Sequence, residues 1–378
     1  MRAIIFEDVE TLSLATVAEP VIVDAGDVIV QVHAAGICGS DLHPYLGRER
    51  GLDRGTIMGH ELVGRVVEVG SDVHTFRRGD RVVAPFTTSC GACPACGSGL
   101  TSRCVRGQLF GWVENGRGLH GAQAELVRVP LADTTLVLVP DVLHDDALAL
   151  LAGDVLSTAL FAAELADVRA GDAVAIVGCG PVGLLAIRAA LARGAREVFA
   201  LDAVSSRLAI AERFGATTVR IGDSDAMTFV RQRTGGRGVD RVIEAVGSAQ
   251  ATRSAADLLR PGGTLAAVGV HTEPHLALSP GEIYDRNLTY ASGRCPARRM
   301  LPAALELAQR DARLLGELIS HRLPLSEGVE AYRRLAAREE GWAKVVLVPA
   351  PSASSASSAS SASSASSDAE PVLQNGAL

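Results

Sequence analysis

No stretch of this sequence approaches the roughly 20 uninterrupted apolar residues that a membrane-spanning helix needs. A charged-then-apolar leader is missing too, since Met1 runs straight into the strand-like RAIIF of residues 2–6. These absences make a soluble, cytoplasmic protein the expectation. Positive charge is also short: the net charge is -7. Phosphate backbones need a basic surface, so nucleic acid is a poor partner, no membrane association is expected, and small-molecule chemistry is favoured. A disulfide framework is equally unexpected. The cysteines number seven, an odd count, and four of them crowd into positions 90–104, a distribution that suits metal ligation in a reducing compartment.

What is present is enough apolar material, 48% of 378 residues, to build a core for each of two domains. Up to about residue 140 the chain alternates short β-type runs (27–33, 62–69, 81–84) with Gly-rich or charged turns, which reads as an irregular, mostly antiparallel β domain. From about residue 152 the texture changes. Strand-like segments at 173–177, 197–201, 239–244 and 264–268 alternate with amphipathic helices at 181–193 and 205–214, with glycines at 215, 222, 262 and 263 in the turns. Such alternation predicts a parallel sheet with βαβ crossovers. Beyond about residue 294 a further helix and the apolar run 344–348 are expected to return to the first domain. The Ser-Ala-Ser repeats of 352–367 cannot bury enough surface to offset their ordering entropy, so 349–378 is expected to be a disordered tail.

Residues 174–183 read VAIVGCGPVG, an apolar strand followed by Gly178, Gly180 and Gly183 in GxGxxG spacing, with Pro181 and Val182 opening a helix. Gly178 permits the turn, Gly180 lets backbone approach a pyrophosphate, and Gly183 lets helix lie against strand; the phosphates then face the positive end of the helix dipole. Asp202 follows nineteen residues after Gly183. There it can accept from a ribose hydroxyl and repel the extra phosphate of NADP, so NAD is the expected cofactor, with Arg207 as a nearby counter-signal. Cys90, Cys93, Cys96 and Cys104 stand in CxxCxxCx7C spacing. Four thiolates close a tetrahedral zinc shell with no open position, so this zinc is read as structural, with an iron–sulfur cluster as the rival.

Two further segments, GICGSDLH at 36–43 and GHE at 59–61, put Cys38 and His60 at strand ends. Together with the cysteine lobe and the glycine loop, in this order and spacing, they make the chain resemble the zinc-containing medium-chain alcohol dehydrogenase family, with FTTSCGAC and QLFGW resembling its formaldehyde-dehydrogenase-like branch. The resemblance covers nearly all of residues 1–348. It implies an α/β fold: an irregular antiparallel β (GroES-like) catalytic domain over 1–153 and 294–348, plus a Rossmann doubly wound parallel-sheet domain over 154–293.

It also implies a catalytic zinc on Cys38, His60 and, from the segment GDVLSTA, Asp154 where many members carry a cysteine; Glu61 resembles an acid that approaches the metal, and Asp41 one that orients the histidine. On that resemblance zinc would lower the pKa of the alcohol, hydride would pass to the nicotinamide, and Ser40 would pass the proton through the nicotinamide ribose to His43. Thr158 and Val182 match positions at the nicotinamide ring, Lys344 a basic position near the pyrophosphate and Glu61, and Phe86 with Leu109 the wall of the substrate pocket. An NAD-linked zinc alcohol or aldehyde dehydrogenase, two zincs per chain and a homodimer or homotetramer, is therefore expected. A polyol or amino-alcohol dehydrogenase, a catalytically silent NAD-binding protein and a zinc-free quinone reductase are the alternatives.

Overall fold

The computed structural model describes residues 1–222 and 226–350. The tail expected to be disordered lies outside the described residues from 351 onward. Two sheets carry the fold. The first is seven-stranded and mixed: its path runs through strands Ile319–Pro324, Lys344–Val348, Val28–Ile37, Leu62–Val69, Arg81–Ala84 and Val137–Leu138, with Leu126–Val129 pairing off Val28–Ile37. All its pairings are antiparallel except that of Ile319–Pro324 with Lys344–Val348. The run 344–348 thus joins the N-terminal sheet next to Val28–Ile37, pairing Val345 with Ile37 and Leu347 with Ala35.

The second sheet has six parallel strands in the spatial order Thr217–Arg220, Glu197–Asp202, Ala173–Val177, Val239–Glu244, Leu259–Ala267 and Thr289–Ser292. Numbered along the chain this is 3-2-1-4-5-6, the doubly wound arrangement whose ligand crevice opens where the order reverses, at the carboxyl end of Ala173–Val177. That strand is buried along its whole length, as a strand covered on both faces must be. Its AVAIV sequence is continuous rather than alternating for the same reason.

Between the sheets run the helices Asp146–Gly153 and Val155–Leu165, bent by 41° at Asp154. Asp154 itself has φ -136° and ψ -80°, outside the helical region, so the ladder breaks there and its side chain is thrown inward. Gly153 makes the junction possible, since a Cβ in its place would meet the carbonyl oxygen of Ala84 at 2.5 Å. The sequence periodicity at 146–165 raised no expectation of a broken helix. Among the described residues no single helix is long and apolar enough to cross a membrane.

Candidate metal and cofactor site

Cys38 follows directly on the strand Val28–Ile37 and His60 precedes Leu62–Val69, so two neighbouring antiparallel strands deliver both side chains to one end of the sheet. The helix break delivers Asp154 to the same point. One ligand atom each from Cys38, His60, Glu61 and Asp154 lies within 4.8 Å of all the others. The Cys38 thiol donates to Asp154 Oδ2 at 3.3 Å, and His60 Nε2 stands 3.2 Å from the same oxygen. Ser40 Oγ is also 3.2 Å from His60 Nε2.

The other imidazole nitrogen is already committed. His60 Nδ1 lies 2.9 Å from Asp41 Oδ1, and the second oxygen of Asp41 accepts the Cys38 backbone N–H at 2.9 Å. One carboxylate therefore fixes both the ring and the ligand loop, leaving Nε2 aimed at the cluster. Burial works against charging His60, yet Asp41 and then Asp154 outweigh it and hold the imidazole well above its ordinary range. Asp154 is pulled the other way: burial alone would raise it, but hydrogen bonding and attraction to His60 bring it down to about 2. Burial, then the Asp154 charge, pushes the Cys38 thiol up. The cluster is therefore a largely buried set of anionic and imidazole donors turned toward one point. A soft thiol, an imidazole and a carboxylate oxygen are a donor set that suits zinc.

Glu61 is the fourth member, and its carboxylate is clasped by the Lys344 ammonium; both side chains have no exposed surface. Lys344 also reaches the carbonyl oxygen of Ile37 at 3.5 Å. Burial alone would lower its pKa, but the Glu61 carboxylate more than offsets that and keeps it an ammonium. The pair fits only because residue 36 is glycine: a Cβ there would sit 1.8 Å from Glu61 Oε2. Lys344 thus stands beside Glu61, as the resemblance implied, and next to the Cys38–His60–Asp154 cluster.

Thr158 hydroxyl donates to Asp154 Oδ1 at 3.3 Å. His43, on the short helix Leu42–Tyr45, has a buried Nδ1 with no hydrogen-bond partner among the described residues. Its pKa is lowered, chiefly by burial, with Glu49 opposing and Arg48 adding to the effect. Phe86 meets the His60 ring edge-on, centroids 6.4 Å apart, and belongs to an apolar group with Leu109, Phe161, Cys295 and Met300. Sequence reasoning had singled out Phe86 and Leu109 but not Gln123, whose amide donates to Gly36 O at 3.0 Å and accepts from the buried Tyr332 hydroxyl at 3.0 Å, bracing the loop behind Cys38. Its partners are 87 and 209 residues away, so no local signal could have found it.

The four lobe cysteines converge as well, their sulfurs within 4.8 Å of one another. Backbone N–H groups, first that of Cys96 and then that of Val105, bring Cys93 down to about 6, while burial and the neighbouring sulfurs push Cys96 up to about 12. Four sulfurs gathered this closely are a donor set that fits a closed, tetrahedral zinc shell.

At the parallel sheet, Gly178 turns the chain at φ +94°, and a Cβ on Gly183 would lie 1.8 Å from the Gly178 carbonyl oxygen, so helix Pro181–Ala192 approaches the strand as closely as backbone allows. A Cβ on Gly180 would meet nothing within 4 Å, leaving the space in front of the helix clear for a ligand. Asp202, at the carboxyl end of the adjacent strand, accepts from the backbone N–H of Cys179 at 2.7 Å and of Val204 at 2.8 Å. Arg207 approaches the same carboxylate at 3.9 Å. Asp202 therefore clips the glycine loop to the neighbouring turn, a role the spacing did not reveal. The open cradle, loop turn and acid fit a dinucleotide.

Comparison with known proteins agrees with this geometry. Residues 24–141 match the family described as "Alcohol dehydrogenase GroES-like domain" and residues 181–310 the family "Zinc-binding dehydrogenase". The chain is 40% identical over 340 residues to zinc-type alcohol dehydrogenase B of Aspergillus flavus, covering 88% of this chain and 78% of that protein. It is 33% identical over 292 residues to sorbitol dehydrogenase of Bacillus subtilis, covering 76% and 80%. Among solved structures, alcohol dehydrogenase TADH from Thermus sp. ATN1 superposes with a TM-score of 0.87 at 37% identity, over 93% of this chain and 100% of that one. The chain belongs to the zinc-containing medium-chain alcohol dehydrogenases, enzymes that join a GroES-like domain to a dinucleotide-binding one and use zinc and NAD.

Proposed function

We propose that this enzyme transfers hydride between an alcohol, or a hydrated aldehyde, and NAD at the Cys38–His60–Asp154 site. The observation that carries the reading is the convergence of those three side chains to within 4.8 Å, with His60 Nδ1 already taken by Asp41. Cys38, His60 and Asp154 would hold the catalytic zinc, Glu61 standing beside them, and Cys90, Cys93, Cys96 and Cys104 the structural one. Zinc held by three ligands supplies Lewis acidity toward the substrate oxygen, and NAD supplies the hydride acceptor.

The protein's own part is binding and proton handling. Ser40, whose hydroxyl already lies against the ligand cluster, takes the substrate proton, and His43, kept neutral by burial and free at Nδ1, receives it at the far end of the relay. Gly178, Gly180, Pro181, Val182 and Gly183 cradle the pyrophosphate; Asp202 accepts from the ribose and disfavours an extra phosphate, and Thr158 faces the nicotinamide side of Asp154. Phe86 and Leu109 exclude water from the reacting carbon. In this reading residues 1–153 and 294–348 form the catalytic domain and 154–293 the cofactor domain.

Resemblance to sorbitol dehydrogenase, at 33% identity, supports including polyols among the candidate substrates. The test is a panel of primary alcohols, polyols, amino alcohols and hydrated aldehydes assayed for NAD reduction, with metal analysis of wild type and Asp154→Ala. We expect two zincs per chain in wild type, one in Asp154→Ala, and loss of turnover on the order of a thousandfold or more. A fully active Asp154→Ala protein would remove that residue from the site. One zinc and no turnover in wild type would favour a silent binder.

A further inference from the structure

The strand order of the parallel sheet reverses between Ala173–Val177 and Val239–Glu244, so the crevice there has two walls: the glycine loop after the first strand and the turn 245–247 after the second. The second wall touches the first. A Cβ on Gly178 would overlap Val246 Cγ2, which places the Val246 side chain directly against the bend of the glycine loop. Yet Val246 is 51% exposed, an apolar group left open where the cradle begins. Whatever fixes its position therefore shapes the space a dinucleotide enters.

Glu244 supplies the first constraint. Its side chain has no exposed surface, and its Oε1 accepts from the backbone N–H of Val246 at 2.7 Å and of Gly247 at 2.8 Å. A carboxylate withdrawn from water needs its second oxygen satisfied as well. Among the described residues the one basic side chain within ion-pair distance is His271, whose Nε2 lies 3.0 Å from Oε2. The other ring nitrogen, Nδ1, stands 3.5 Å from Glu273 Oε2, and Glu273 Oε1 accepts from the N–H of Ala249, the first residue of helix Ala249–Leu258, at 3.0 Å. One imidazole thus sits between two acids, each of which holds backbone N–H groups of the segment 245–249. Behind this chain the two turns meet backbone to backbone. A Cβ on Gly247, at φ +82°, would overlap the Val270 carbonyl oxygen, and one on Gly269 the Gly247 nitrogen. No side chain interlocks the turns at that contact, so their relative position is left to the acid–imidazole–acid link.

We infer that Glu244, His271 and Glu273 form a brace that holds Val246 against the glycine loop, which makes His271 a positioning residue for NAD. The inference rests on reading the crevice as the NAD site and not on the choice of alcohol. His271 acts through Glu244: without the imidazole, a buried carboxylate is left half satisfied, and it relaxes toward water together with the two N–H groups it holds. The Val246 wall then loses its fixed place. Because no member of the brace belongs to the Cys38–His60–Asp154 cluster or to the Ser40–His43 pair, the loss falls on cofactor binding and spares the chemical step.

Calorimetric titration with NAD, which needs no alcohol, tests it. His271→Leu should weaken NAD binding by about 10- to 100-fold, and His271→Gln, which keeps one side-chain N–H donor, should recover part of that loss. In turnover the KM for NAD should rise by a similar factor while kcat stays within about threefold of wild type. Val246→Ala should weaken NAD binding by itself but cost less than about half as much in the His271→Leu background, a coupling that a merely structural histidine would not produce. In the protein without NAD, the amides of Val246 and Gly247 should exchange with deuterium at least about tenfold faster in His271→Leu. Where His271→Leu fails to fold, Glu273→Gln, at the exposed end of the brace, should still weaken NAD binding by about threefold or more. Wild-type NAD affinity in His271→Leu, or in Glu273→Gln where that variant stands in, overturns the proposal, as do strictly additive losses with Val246→Ala. If wild type binds no NAD at all, the cofactor reading itself fails and the positioning role falls with it.

Discussion

Removing one member of the Glu61–Lys344 pair should be among the most damaging single changes outside the ligands themselves. Both side chains are wholly buried and bonded to each other across 283 residues of sequence. Lys344→Met preserves the length and apolar stem of the side chain but leaves the Glu61 carboxylate without its cation in a dry interior. Breaking a buried pair from one side costs about 3–5 kcal/mol. With a urea dependence of about 3 kcal/mol/M for a chain of this size, the unfolding midpoint should fall by on the order of 1 M. The companion variant Glu61→Gln/Lys344→Met removes both charges and should recover at least about half the loss, since neutral replacement of a whole pair is often tolerated. Gly36→Ala attacks the same contact from a third side, because its Cβ would lie 1.8 Å from Glu61 Oε2. In the Lys344→Met background it should therefore add less than it costs alone. Because a Glu61 oxygen lies within 4.8 Å of the other ligand atoms, zinc can take over part of the missing compensation, and the Lys344→Met loss should be larger in chelator than in excess zinc. Urea unfolding of wild type and these four variants in both conditions gives the numbers. A Lys344→Met protein within about 1 kcal/mol of wild type, or a double variant no better than the single, refutes the reasoning.

Asp41→Asn keeps the size of the side chain but weakens its hold on His60 Nδ1; zinc affinity at the catalytic site, read by competition with a chromogenic chelator, should fall about 10- to 100-fold while the cysteine lobe stays loaded. Gly183→Ala places a methyl group 1.8 Å from the Gly178 carbonyl oxygen, so helix and strand must part; a loss of about 3 kcal/mol or more in urea unfolding and a weaker NAD titration are expected, and an unchanged NAD affinity would contradict the close-approach argument. Since burial lowers His43 below its usual 6.5, the imidazole is neutral through the physiological range and charges only in acid. The kcat/KM for alcohol oxidation should hold steady above that pKa and fall as pH drops through it; His43→Gln should flatten this acid limb and lower the rate about a hundredfold or more.

Much of this was legible from the chain because the signals are local. The buried run VAIV, the GxGxxG turn and the following apolar helix lie within twenty residues, and each glycine has a separate steric reason to be there. The lobe cysteines lie within fifteen residues, so spacing alone brings their sulfurs together. Where contacts depend on distant partners, local sequence was silent: only the family resemblance put Lys344 near Glu61, and nothing near Gln123 points to Gly36 and Tyr332. Asp154 lies between these cases, flagged by resemblance to the family's third ligand but explained only by the helix break.

That break accounts for the acidic ligand in a way charge alone does not. A cysteine at position 154 would carry the same formal charge toward zinc, yet it offers a single donor atom. The carboxylate has two, and the structure uses them differently: Oδ2 faces Cys38 and His60, while Oδ1 accepts from Thr158. One side chain thereby ties the strand ends that carry Cys38 and His60 to the helix Val155–Leu165. Because Asp154 sits at the junction of two helices bent by 41°, any shift of Val155–Leu165 against Asp146–Gly153 would move both ends together. The acid thus serves as a register mark, coupling the angle between the two helices to the position of its carboxylate against Cys38 and His60.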